Sequence, residues 1–290
     1  PILSGLVGSE MCIRDSNWYA DGSPHTLPDD FYSSKYFIDK TIEFVASNEG
    51  SDQPFFAYIP FQAVHIPVQA PREYSDKYSG VYDEGWSVLR EKRRQAAIAA
   101  GVIPAEARAG VTPGTAEWDS LTAEQKRYDT RRMEVYAGMV DAMDENIGRL
   151  MSYLKSIDEY DNTIFIFTSD NGPVWYDADI KRFGHDSAGG LRGMKADAWE
   201  AGHRMPFLLR WPKVVKPGST SSRLICFTDL MATFADLTST KLPAGNVLDS
   251  HSFLPALTHP SAPHLPREPI VMKAGSGAMM IREGKWKLID

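Results

Sequence analysis

Three stretches of this 290-residue sequence concentrate side chains capable of chemistry. In "TIFIFTSDNG", Asp170 and Asn171 follow directly on an apolar run. A carboxylate beside an amide oxygen is a donor set for a hard cation such as calcium or magnesium. Just past the carboxyl end of a buried strand, the pair would stand where open α/β sheets gather their ligands. Asp, Asn and Gly also favour a plain tight turn, so the fragment alone is compatible with either reading.

The second stretch is "FGHDSAGGLRGMKADAWEAGHRMPF". It sets Gly184, Gly189, Gly190, Gly193 and Gly202 among His185, Arg192, Lys195, Glu200, His203 and Arg204. Glycines let a backbone approach a ligand, and cations suit a tetrahedral anion such as sulfate or phosphate. A nucleoside-triphosphate loop is excluded, because Lys195 is followed by Ala196 and the glycine spacing is wrong. A basic, glycine-rich stretch can equally be a solvated connection. The third candidate is His65, in "FQAVHIPVQAP", directly after the apolar run "PFFAYIP". A loop histidine after a strand end is a candidate for proton or hydrogen-bond chemistry, although most loop histidines are simply exposed.

These residues need elements to hold them. "PFFAYIP" (54–60), "TIFIFTS" and "MPFLLRWP" (205–212) read as buried strands, the first covered on both faces. Asp29 or Asp30 is placed to cap a helix with Tyr36, Phe37, Thr41, Phe44 and Val45 on one side. A longer helix over about 129–156 presents Met133, Tyr136, Val140, Met143, Ile147, Leu150 and Leu154 on one face. Residues 84–128 read as a short helix and then a surface excursion broken by Gly101, Pro104, Gly110, Pro113 and Gly114. "FTDLMATFADL" reads as a helix, and "AMMIREGKWKLID" as an antiparallel hairpin. The fold class is α/β: a mixed central sheet flanked by helices, with a small antiparallel addition at the end.

Composition narrows the partners. Net charge is −7, which argues against a nucleic-acid or anionic-membrane surface, both of which call for a basic face. No apolar run approaches the ~20 residues of a membrane span. The two cysteines, Cys12 and Cys226, lie far apart and offer neither a disulfide framework nor a zinc spacing.

Taken in order, "PFFAYIPFQAVHIPVQAP", "YAGMVDAMDENIGRLMSYLK", "FTSDNG" and "LRGMKADAWEAGHRMPFLLRWP" closely resemble the arylsulfatase-type sulfatases of the alkaline-phosphatase superfamily. "YDEGWSVLREKRRQ" and "IREGKWKLI" look like the same family, from about residue 17 onward. The resemblance implies an alkaline-phosphatase-like fold, incomplete here. Residues 17–240 would be the C-terminal part of the catalytic α/β domain and 241–290 the start of a small antiparallel-sheet subdomain. Residues 1–16, with their "VGSEMCIRDS" run, would be a non-native leader.

For activity, the resemblance implies hydrolysis of sulfate esters by a formylglycine made from a C/S-x-P/A-x-R motif. Asp170 and Asn171 match metal ligands for calcium, with magnesium as the alternative. Lys195 matches the lysine on the sulfate group, and His65 the histidine near the leaving oxygen. His185 and Arg192 are candidates for substrate contact. Lys273 stands where similar sequences often carry a histidine. Around Cys12 the motif fails, since Arg14 and Ser16 occupy the two positions that define it. The formylglycine, its neighbouring arginine and the paired N-terminal aspartates are therefore expected upstream of this chain, which alone should be inactive. Implied partners are a sulfate-ester small molecule or sulfated glycan and the formylglycine-generating machinery, in a periplasmic or extracellular setting. Competing readings are a phosphodiesterase or phosphonate monoester hydrolase of the same superfamily, and a non-catalytic anion- or metal-binding relative. "KADAWEAGHR" favours the sulfatase.

Overall fold

The computed structural model describes residues 18–101, 105–106, 117–174, 176, 178, 187–188, 190–243, 245, 247, 249–259 and 267–290. The chain divides into two compact units, Pro1–Tyr160 and Asp161–Asp290. None of its described helices is long and apolar enough to cross a membrane.

The first unit opens with a short antiparallel pair, β1 (Trp18–Ala20) and β2 (Ser23–His25). Trp18 is buried and packs edge-on against Phe31, with ring centres 5.2 Å apart. Helix α1 (Ser33–Ser47) buries Phe37, Ile38, Thr41 and Val45. The expected aspartate cap is not used: Tyr32 occupies the N-cap position, extended, with no side-chain cap bond. The short α2 (Arg72–Ser75) and α3 (Gly85–Ala99) follow.

Helix α4 (Ala123–Ser156) starts earlier than its apolar periodicity suggests. Thr122 and Gln125 form a reciprocal capping box, at 2.9 and 3.2 Å, that satisfies two otherwise orphaned amides. Its buried stripe also differs from the expected one. Glu134, Gly138, Met139, Ala142, Asn146, Leu150 and Leu154 are buried, whereas Tyr136 and Val140 are exposed. The reason is close approach and paired polarity. Gly138 sits under the α2 backbone, where a Cβ would come within 2.8 Å of the Ser75 nitrogen. Glu134 accepts from the Gly80 amide and from Arg131, and Asn146 donates to the Ala142 carbonyl. Small and hydrogen-bonded residues took places that an apolar count assigns to larger ones.

A second correction concerns 54–60. The run forms no strand, and Phe56 and Tyr58 are exposed. No described strand pairs with it, and without a ladder partner an apolar run has nothing to satisfy its backbone groups in sheet fashion.

In the second unit, β3 (Phe165–Thr168) pairs antiparallel with β4 (Phe207–Arg210), with Ile166 opposite Leu209 and Phe167 opposite Leu208. Between them in sequence lies the single-turn helix α5 (Glu200–His203). Ile166 and Leu209 face Phe234, Leu237 and Leu257 from α6 (Asp229–Leu237) and α7 (Leu254–Thr258). The unit closes with the antiparallel sheet β5 (Ile270–Lys273), β6 (Met279–Glu283) and β7 (Trp286–Ile289). A two-residue turn joins β6 to β7, with Gly284 at φ +53°, a region where a side chain is disfavoured. Met280 and Ile270 form the centre of a small core with Ala198. Mixed α/β architecture with a small antiparallel addition agrees with the expectation.

Candidate functional site

The site is built where β3 runs out. Thr168 anchors the strand end by donating its hydroxyl to the Pro206 carbonyl at 2.8 Å. The chain then turns through Ser169, Asp170 and Asn171. Asp170 Oδ1 accepts from the Asn171 amide at 2.9 Å and from the Ser169 hydroxyl at 3.4 Å, so the carboxylate is held by its own turn. Asn171 Nδ2 donates to the Gly172 carbonyl at 2.9 Å, which leaves the amide oxygen as the free acceptor end of that side chain.

Gly172 seats this turn. Its amide donates to the Gly202 carbonyl at 2.9 Å, and a Cβ here would fall 1.6 Å from the Ala201 carbonyl oxygen. Only a glycine allows α5 and the turn to lie this close. The next residue, Pro173, accepts from the Lys195 amide at 2.8 Å. The loop carrying Lys195 is closed on itself: the Met194 amide donates to Asp197 Oδ2, and the Asp197 amide to the Met194 carbonyl, both at 3.0 Å. Gly202 supports that loop as well, since a Cβ there would meet the Asp197 carbonyl oxygen at 2.2 Å. The Arg192 carbonyl accepts from Ala201 at 3.0 Å, and its guanidinium lies 3.5 Å from the centre of the Trp199 ring. That stacking fixes the direction of the cation.

Asp170, Asn171, Lys195 and Arg192 thus lie on two segments bound by backbone hydrogen bonds to each other and to α5. His65 belongs to the first unit; it is exposed, with Nδ1 2.7 Å from the Ile66 carbonyl. His185 lies outside the described residues, as do Gly184 and Gly189.

The turn's donor chemistry fits a hard cation in part. A carboxylate and an amide oxygen supply two of the six to eight oxygens that calcium takes. Among the described residues no group of three or more His, Cys, Asp or Glu is placed to hold a metal ion, so this turn offers two oxygen donors.

Two residues with no role assigned from sequence turn out to be networked. Glu200 accepts from Arg282 at 2.8 Å and from Lys287 at 3.1 Å, and Lys287 also donates to His203 Nε2 at 2.6 Å. Burial pushes the Glu200 carboxyl up, but the hydrogen bonds from Lys287 and Arg282 outweigh it and hold the group below the usual range. Burial and the adjacent Lys287 charge lower the His203 imidazole. A signal for this network was present: strand alternation puts Arg282 and Lys287 on the same inward side as Met280 and Ile289. Cations facing inward require acceptors there.

A family model described as Sulfatase matches residues 9–240. An uncharacterized sulfatase of Schizosaccharomyces pombe is 37% identical over 255 residues, covering 77% of this chain and 46% of that protein. An arylsulfatase of Klebsiella aerogenes is 36% identical over 152 residues, covering 52% and 32% respectively. Among solved structures, one from work on glycosaminoglycan metabolism in Bacteroides thetaiotaomicron superposes with a TM-score of 0.61 at 28% identity. It covers 99% of this chain and 50% of that one. The chain therefore spans about half the length of the solved relative, and less than half of the curated ones.

Proposed function

Since the chain belongs to the sulfatase family, we propose that it carries the metal-turn and lysine half of a sulfate-ester hydrolase site, with turnover a property of the whole protein. The observation that supports this most directly is the Lys195–Pro173 hydrogen bond. It ties the backbone that carries Lys195 to Pro173, two residues past Asn171. The segment proposed to hold the metal and the one proposed to hold the anion thus adjoin, an arrangement that suits stabilisation of a charged sulfuryl group.

Asp170 and Asn171 are the residues that would hold calcium, with magnesium as the alternative. Bound there, the cation supplies fixed positive charge toward the sulfate oxygens. Lys195 holds a sulfate oxygen by a charge-assisted hydrogen bond. His65 is assigned by the family resemblance to the leaving oxygen, where it would hydrogen-bond the ester. Arg192 and His185 are the candidates for contact with the rest of the substrate. The nucleophile, a hydrated formylglycine, is assigned to sequence upstream, because Cys12 is not followed by the required motif. Residues 17–240 are assigned to the catalytic domain and 241–290 to the start of the smaller one.

A sulfated glycan is the substrate class favoured by the similarity to a structure from glycosaminoglycan metabolism. Such a substrate places the protein in the periplasm or outside the cell. The test is an assay of the full-length protein with calcium on 4-nitrophenyl sulfate and bis(4-nitrophenyl) phosphate. Sulfate-ester turnover that disappears with Lys195→Ala supports the reading. Turnover of the phosphate diester alone overturns it in favour of the phosphodiesterase relatives, and anion binding without any turnover in favour of a non-catalytic one.

A further inference from the structure

Helix α5 is one turn long, and the Arg204 amide to the Glu200 carbonyl at 2.8 Å closes that turn. A helix this short does not hold its own place, since the cost of nucleating a turn exceeds what one hydrogen bond returns. Its position is set by what its two sides touch. Ala201 and Gly202 meet the Asp170–Gly172 turn and the 192–197 loop through backbone contacts that tolerate no side chain. Glu200 and His203 meet the β6–β7 hairpin through Arg282 and Lys287.

We propose that Glu200 and Lys287 are positioning residues: by pinning α5 to the terminal hairpin they fix the seat shared by the metal turn and Lys195. The assignment rests on the reading of Asp170, Asn171 and Lys195 as the site. Three features support it. Lys287 bridges two residues of α5 at once, so it sets the rotation of the turn as well as its distance. Its side chain keeps only 14% of its exposure, so the ion pair is sheltered from the screening that weakens surface pairs. The same three-stranded sheet also grips the Lys195 loop independently, through Ala198 in the Ile270–Met280 core and through the β5–β6 turn, where the Ser276 amide donates to the Ala196 carbonyl at 3.3 Å. The sheet is thus the base plate from which both halves of the site are set.

The test is hydrogen exchange on the full-length protein, read at the Gly172 and Lys195 amides, with calcium affinity measured by calorimetry alongside. Glu200→Gln keeps the shape of the acid and removes its charge, Lys287→Met keeps the length and removes the donor, and Lys287→Arg restores a donor. The first two should speed exchange at both amides at least tenfold, while amides of α4 and of the β5–β6 ladder hold their protection and Lys287→Arg returns the site amides toward the original rate. Unchanged exchange at Gly172 and Lys195 overturns the proposal. So does equal acceleration across the β5–β6 ladder, which is the mark of general loosening. Faster exchange at the two amides, with calcium uptake indifferent to both these variants and Asp170→Ala, upholds the positioning role and overturns the metal reading instead.

Discussion

Arg267 closes an ion pair on Asp229 at 2.8 Å, and the Asp229 side chain has no exposed surface. The same carboxylate accepts from the Cys226 and His251 amides at 2.9 and 3.0 Å, so a single buried charge ties the start of α6 to three other points of the chain. Replacing Arg267 with Met removes the counter-charge and leaves the carboxylate stranded. Loss of one partner of a buried pair costs about 3–5 kcal/mol. Urea unfolding should show a midpoint lowered accordingly for the second unit; a midpoint near the original would mean that the two amides alone satisfy Asp229.

Gly138→Ala tests the close approach of α2 to α4. Alanine is the better helix former by about 1 kcal/mol, so propensity alone predicts stabilisation. The added Cβ, however, meets backbone atoms of Ser75 at 2.8 and 2.9 Å, which cannot swing aside as a side chain would. Overpacking of this kind costs about 1–3 kcal/mol, so the net sign should be destabilising. A more stable variant in chemical denaturation would show that the two helices stand further apart than described.

Acid should weaken the α5 clamp. Glu200 has a folded-state value below the ordinary carboxylate one, so its contribution is present above that ordinary value and lost as pH falls through the folded one. His203 is lowered from the usual 6.5, so the unfolded chain binds its proton first as pH falls below that point. Both groups act in the same direction. The melting temperature should therefore fall as pH drops below 6.5 through His203, with His203→Gln removing part of that slope, and fall again below the ordinary carboxylate value as Glu200 takes up its proton. A slope unchanged by that substitution would remove His203 from the explanation.

In the full-length protein Lys195 and His65 should fail in different ways. On the proposed reading, Lys195→Ala removes a charge acting on the sulfate oxygens and should lower kcat by about 10²–10³ for every sulfate ester. On the same reading, His65→Ala removes the hydrogen bond to the leaving oxygen, a contribution of about 10²–10⁴ that shrinks as the leaving group improves. A series of aryl sulfates with graded leaving groups separates the two. Equal losses across the series for His65→Ala would assign it to binding.

Much of this arrangement is legible in the sequence, and the failures share one cause. The Asp170–Asn171 turn, the hairpin over 279–289 and the extent of α6 follow from local periodicity and turn chemistry, which act within a few residues. The α4 stripe departs from its apolar periodicity because Gly138 and Asn146 are buried by their partners, and an apolar count passes over them. Residues 54–60 form no strand because a strand is a property of two segments, and an apolar run specifies only one of them. Glu200 lay hidden for the same reason: its partners are 82 and 87 residues away. Their inward phase on β6 and β7 was the available clue.

The missing room at Gly172 gives related sequences a simple marker of integrity. Any side chain there must displace the Ala201 carbonyl it would otherwise overlap, and the turn that carries Asp170 and Asn171 moves with it. In a homologue whose acidic and lysine residues are all retained, a non-glycine at this one position would therefore signal a site that keeps its ligands but has lost their registration. Selection should guard this position as closely as the residues that touch the substrate.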